Sequence, residues 1–222
     1  AKPDVLVLHP IESATAAHRF GFLPPQGVGR TVYQYTVSGR KRTLPVDVPS
    51  EDLSRAHELD RMLRRVLDAS LTAGYDTDLG DEGYIEDMGS VEGNLFRIGE
   101  MTYPVVIVPP SDTWRPKTYE LLKQFVANGG KLIFAGWLPR EIDCDSAVEQ
   151  WRILASMPGV QVVPASRRQI QEALDKVVPR TFSLRDTDGN AVQRTYVQHR
   201  VDGQQDFFFI VNSDRNGSHE YV

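Results

Sequence analysis

The sequence predicts an α/β fold, a parallel sheet layered between helices, followed by an antiparallel β meander. Three observations predict it. Tyr103-Pro104-Val105-Val106-Ile107-Val108 and Lys131-Leu132-Ile133-Phe134-Ala135 are short apolar runs bounded by turn residues, the pattern of strands buried on both faces. Between them Pro116 opens a segment in which Tyr119, Leu122, Phe125 and Val126 recur at helical spacing, and Asn128-Gly129-Gly130 ends it. Two buried strands joined by one helix require a right-handed crossover, so residues 103–136 anchor the prediction.

The flanking elements extend that unit. Val5-Leu6-Val7-Leu8, held between Pro3 and His9-Pro10, reads as the first strand, and residues 11–20 as a short Ala-favoured helix. Residues 22–50 carry Pro24, Pro25, Gly27, Gly29, Gly39, Pro45 and Pro49. They read as a long excursion with a hairpin around Ser38-Gly39. Ser50 is a suitable N-cap, and Glu51 and Asp52 suit the positive end of a helix. Leu53, Ala56, Leu59, Leu63, Val66 and Leu67 then form an apolar stripe, with Arg55, Glu58, Arg61 and Arg65 opposite and Gly74 as the stop. Residues 75–79 form a short second strand. Gly80-Asp81-Glu82-Gly83 starts a loop or helical turn, and residues 90–98 a small hairpin. A helix at 146–157, a strand at 160–163 and a helix at 167–177 complete a series of four or five parallel strands. Residues 1–180 are thus one α/β domain. In residues 181–222 short β-like runs alternate with the turn signals Asp186-Thr187-Asp188-Gly189-Asn190 and Asp202-Gly203, which predicts the meander.

Composition narrows the function classes. The 222 residues are 41% hydrophobic and 25% charged, with a net charge of −5 and both signs interspersed. Nucleic-acid binding would need a basic stripe, and the one dense basic run, Arg40-Lys41-Arg42, fits a solvated loop. No apolar run approaches the ~20 residues of a membrane-spanning helix. The single cysteine, Cys144, rules out an internal disulfide or a Cys-based zinc cluster, and the five histidines form no His-x-x-x-His pair. Phosphate- and dinucleotide-binding glycine motifs are missing, since Gly27-Val28-Gly29 does not follow a strand. No cofactor and no metal is predicted.

Ligands of open parallel sheets sit beyond the carboxyl ends of the strands. The loops there carry His9, Glu12, Asp81, Glu82, Trp114 and Trp137, the candidate ligand-binding residues. Indole faces stack on pyranose rings and carboxylates bind hydroxyls, so this set suits a sugar. The same indoles equally suit packing against the core or a neighbouring domain. Asp78, Asp81 and Glu82 invite an acid/base reading, which needs two carboxyls ~5–9.5 Å apart. Their spacing does not match a calcium loop, and Asp81 and Glu82 also suit a helix N-terminus. A nucleophile elbow would follow Ala135, where Gly136-Trp137 stands; Cys144 lies beyond that turn between Asp143 and Asp145, which suppress thiolate formation. No catalytic residue is assigned.

Four stretches together resemble an accessory domain of large bacterial glycoside hydrolases, of the α-L-rhamnosidase-like and family 42 β-galactosidase-like kinds. They are His9-Pro10-Ile11-Glu12-Ser13, Tyr75-Asp76-Thr77-Asp78-Leu79-Gly80-Asp81-Glu82, Tyr103-Pro104-Val105-Val106-Ile107-Val108-Pro109-Pro110 and Phe125-Val126-Ala127-Asn128-Gly129-Gly130-Lys131-Leu132-Ile133. The resemblance implies a three-layer fold of the class I glutamine amidotransferase-like or flavodoxin-like type, without amidotransferase chemistry. It further implies that Phe207-Phe208-Phe209-Ile210-Val211-Asn212-Ser213 starts a β-sandwich and that both chain ends are cuts within a longer protein. The implied partners are other domains of the parent chain, a second copy of the chain, or carbohydrate. The implied role is domain packing, oligomerisation or the rim of a sugar site. The alternative is a self-contained carbohydrate-binding or hydrolytic module built on the acid- and Trp-lined crevice.

Overall fold

Five short strands, each followed by a turn of Pro, Gly or a helix-capping residue, assemble side by side in a computed structural model that describes residues 3–17, 31–37, 40–46, 50–180, 182–188 and 195–214. The chain runs β1 (Val5–Leu8), α1 (Ile11–Ala17), β2 (Thr31–Val37), β3 (Arg40–Val46), α2 (Ser50–Leu71), β4 (Thr77–Gly80) and α3 (Glu82–Met88). It continues through β5 (Gly89–Glu92), β6 (Leu95–Ile98), β7 (Met101–Tyr103), β8 (Val105–Val108), β9 (Thr113–Trp114), α4 (Pro116–Ala127) and β10 (Lys131–Ala135). It ends with β11 (Glu141–Ile142), β12 (Asp145–Ser146), α5 (Val148–Ala155), β13 (Val160–Val163), α6 (Arg167–Asp175), β14 (Thr195–Asp202) and β15 (Gln205–Asn212).

The central sheet is parallel throughout, in the order β13-β10-β8-β1-β4. Ranked by position in the chain, its strands run 2-1-3-4-5, so the winding direction reverses between β1 and β8. Strand alternation sends Val5, Val7, Val105, Ile107, Ile133 and Ala135 to one face, where α2 and α6 cover them with Leu63, Val66, Ile170 and Leu174. Leu6, Leu8, Val106, Val108, Leu132 and Phe134 face the other way, onto Leu122 and Phe125 of α4 and Trp151 of α5. There Trp151 meets the edges of Phe134 and Tyr119 at centroid separations of 6.1 and 5.0 Å, the favoured aromatic geometry. The result is three layers around a mixed α/β core, and the described residues add four small antiparallel or mixed sheets.

Several boundaries differ from the sequence reading, each for a physical reason. Tyr103 does not continue β8. Pro104 has no N–H to give a ladder, and Tyr103 pairs instead with Phe96 in the antiparallel β5-β6-β7 sheet. The helix expected over residues 146–157 is the shorter α5, because residues 141–146 form a small hairpin first. Its turn puts Asp143 and Cys144 at φ of 53° and 65°, a left-handed conformation that aspartate tolerates but cysteine does not announce. The excursion does hold an antiparallel pair, β2 with β3. Residues 18–30, 38–39 and 47–49 of that prediction, and residues 189–194 and 215–222 of the tail, lie outside the described residues. In the described part of the tail β14 and β15 pair as one hairpin, and Phe182 and Leu184 belong to no strand.

Candidate functional site

The reversal between β1 and β8 opens a gap at the carboxyl ends of these two strands, where doubly wound sheets bind ligands. The chain fills most of it with its own groups. Ser13 of α1 is 1% exposed. Its hydroxyl accepts the Asp112 and Thr113 N–H groups, each at 3.0 Å, and donates to the Thr113 carbonyl at 2.8 Å. Asp112 in turn holds Arg55 of α2 through both its oxygens; Nε lies 2.9 Å from Oδ2, and Nη2 pairs with Oδ1. A further Arg55 nitrogen lies 2.6 Å from Glu58. The guanidinium stacks 4.6 Å above the Trp137 ring, whose Nε1–H donates to the Ser111 carbonyl at 3.1 Å. Arg55 was invisible as a site residue in the sequence, where it belongs to the polar face of a helix; only a contact 57 residues away reveals it.

A second network lies beside the first. Arg115 precedes α4 as its N-cap residue, with Pro116 at the first helical position. Its guanidinium pairs with Glu12, Nε lying 2.8 Å from the carboxylate. Its backbone N–H donates at 2.8 Å to Oε1 of Glu82, a carboxyl with no solvent exposure. Burial pushes the Glu82 carboxyl up to about 7, against the pull of the Arg115 N–H. A helix N-terminus favours an anion by roughly 0.3–2 kcal/mol, less than the cost of drying a carboxylate. The second oxygen, Oε2, and the Thr118 hydroxyl are both buried with no hydrogen-bond partner among the described residues.

Glu12, Thr15, Glu86, Thr113, Arg115 and Asp143 surround an open cleft of about 600 Å³. Trp114 stands in its wall but is fully buried, and its Nε1–H donates to Ser111 Oγ at 2.7 Å. Of the six residues predicted from sequence, Glu12 and Trp114 therefore border the cleft. Asp81 caps α3 by accepting the Gly83 N–H at 2.8 Å. His9 is half-buried and its backbone N–H reaches the Gly80 carbonyl at 2.8 Å. Glu82 lies behind Arg115, and Trp137 beneath Arg55. No cluster of three or more metal-ligating side chains occurs among the described residues.

The turn after β10 is the place for a nucleophile. It holds Gly136 at φ 112°, and a Cβ there would meet Pro110 Cγ at 2.7 Å. Pro109 and Pro110 occupy the neighbouring strand end and offer no N–H to a phosphate or an oxyanion. Cys144 is exposed on the β11–β12 turn, its N–H donating to Thr113 Oγ1 at 3.0 Å.

No protein-family model and no curated protein matches the chain. Among solved structures, a rhamnosidase from Novosphingobium sp. PP1Y is similar at 20% identity over 63% of this chain and 14% of that one, with a TM-score of 0.45. An apo exo-carrageenase GH42 from Bacteroides ovatus is similar at 12% identity over 68% of this chain and 20% of that one, with a TM-score of 0.43. The match spans a fifth or less of the length of either protein.

Proposed function

We propose that this chain is a non-catalytic α/β accessory domain of a multidomain glycoside hydrolase, serving domain packing, oligomerisation or the rim of a sugar site. The strand order 2-1-3-4-5 is that of flavodoxin-like doubly wound sheets, in keeping with the amidotransferase-like fold that the sequence motifs imply. The observation that carries the non-catalytic reading is Gly136. A nucleophile elbow sets its reactive side chain on a sharp turn with strained backbone. Here the left-handed turn is present, but the side chain is missing and Pro110 fills its space. The polar groups at the neighbouring strand ends are spent on one another, in the Arg55–Asp112 and Arg115–Glu12 pairs.

The exposed apolar side chains of β15, Phe207, Phe209, Ile210 and Val211, add to the packing role. Clustered apolar surface of this kind is what a neighbouring domain covers. A self-contained sugar-binding crevice would need an open indole face beside a carboxylate. Trp114 has no exposed face and Arg55 covers one face of Trp137, so the accessory reading is the better supported. The test is turnover by the purified chain across a panel of aryl glycosides, with glutamine hydrolysis assayed alongside. No turnover above buffer is expected. Hydrolysis that Glu12→Gln or Cys144→Ala abolishes would overturn the proposal.

A further inference from the structure

Glu82 is a fully buried acid that neither the accessory role nor the cleft requires. It sits at the start of α3, under the first turn of α4, and touches the backbone of Arg115, the one cationic residue among the described ones that border the cleft. Each element packed there presents a charged or polar group to it. The α1 helix contributes the Glu12 carboxylate, paired with Arg115. The start of α4 contributes the Arg115 N–H, its guanidinium and the Thr118 hydroxyl. On α3 itself, Asp81 caps the helix and Glu86 lies one turn on, within electrostatic reach of Arg115.

These contacts separate the two protonation states. Oε1 has a donor in either state, the Arg115 N–H. The Arg115 N–H and the nearby Thr118 hydroxyl pull toward the ionised form, though Oε2 itself has no hydrogen-bond partner among the described residues. Two effects push the other way. The site is dry, and a carboxylate there loses its hydration without a full set of donors. The Glu12 carboxylate adds like charge and pairs with the Arg115 guanidinium, whose own pull on Glu82 is the smaller. Both effects favour the neutral acid, and the Glu82 carboxyl accordingly stands at about 7.

The geometry points to Glu82 as a proton-linked latch: with its proton it holds α3 beneath the start of α4, and without it the α1–α3–α4 corner that walls the cleft loosens. Ionised Glu82 can recover hydration only if the first turn of α3 parts from Arg115. It gains the full countercharge of Arg115 only if that guanidinium leaves Glu12. Either movement alters the wall of the cleft at Arg115. The cleft is thereby coupled to a proton that titrates near neutrality.

Two measurements test this. The first is the carbon-13 titration of the Glu82 side-chain carboxyl in the intact chain, followed from about pH 5 to about pH 9. A midpoint near neutrality is expected, and one in the ordinary carboxylate range overturns the latch. The second is exchange of the Arg115 amide hydrogen, corrected for the intrinsic effect of pH on exchange. Its protection should fall by roughly tenfold or more across that range in the native protein. Glu82→Gln keeps an acceptor oxygen and should abolish the fall, while Glu12→Gln should move its midpoint to lower pH. A fall that survives Glu82→Gln unchanged, or a midpoint that Glu12→Gln leaves in place, overturns the proposal. If either variant fails to fold, the carboxyl titration of the native chain decides alone.

Discussion

β8 and the Phe207–Val211 run of β15 are equally apolar in sequence and opposite in environment. Val105, Val106, Ile107 and Val108 are at most 1% exposed, with strands on either side and helices on both faces. Phe207 to Val211 are 45–74% exposed, in a sheet of two strands. An apolar run marks a strand that wants covering, but it does not say where the cover comes from. In β8 the cover is local, supplied by α2, α4 and the crossovers that sequence order dictates. In β15 the described residues supply only part of it: Phe208 stacks at 4.6 Å on His199 and meets the edge of Phe182 at 5.6 Å.

The contrast breaks first if the buried strand proves tolerant. Ile107→Ala removes three carbons from a site with no exposure and should cost about 3–4 kcal/mol, read as a lower urea midpoint at unchanged slope. A loss under about 1 kcal/mol would mean that this sheet is not the centre of the core.

Glu82 tests the same contrast for a polar group in the dry layer. Its folded-state carboxyl at about 7 lies above the ordinary glutamate value of 4.5, so the folded chain binds more protons than the unfolded one between those values. Stability is then greatest below the lower value, falls as pH rises through the interval, and levels off above it. The span corresponds to about 3 kcal/mol. Glu82→Gln should match the native chain near pH 4 and exceed it by up to that amount near pH 8, by chemical denaturation at each pH. A difference that does not change with pH would remove the buried charge from the account.

Gly136 ranks next. Alanine there adopts φ 112° against preference and drives its Cβ toward Pro110, which should cost about 2–3 kcal/mol. Pro110→Ala should restore part of that loss in the double variant if the steric clash contributes. A neutral Gly136→Ala would mean the turn can rearrange, and the non-catalytic reading would lose its main support.

How much of this was legible depended on the range of the interaction involved. The central strands and α4 were readable because apolar period and the Pro116 and Gly129-Gly130 boundaries are local signals. The β9–β11–β12 sheet was not, because its strands are two residues long and its turn follows Asp143 with Cys144 where glycine would signal it. Glu82 followed by Gly83 looked like a solvated helix start, and only the packing of α4 over α3 makes it a buried acid. Arg55 and Asp112 are joined across 57 residues by tertiary structure alone. The crevice loops were located correctly as strand ends, whereas the direction in which Trp114 and Trp137 point is a property of packing that residue type does not carry.

The smallest effect is the most informative about β15. Phe209 is 74% exposed and faces away from the Phe182–Phe208 contact by strand alternation. Phe209→Ser should therefore change folding stability by no more than about 0.5 kcal/mol, while reducing self-association or dye binding, because an exposed apolar side chain contributes to stickiness rather than to the fold. A hairpin that serves as a docking surface for a neighbouring domain needs this combination of low intrinsic cost and strong surface effect. A loss of about 2 kcal/mol in the isolated chain would instead place Phe209 in a core of the chain itself, and the difference between β8 and β15 would then be one of degree.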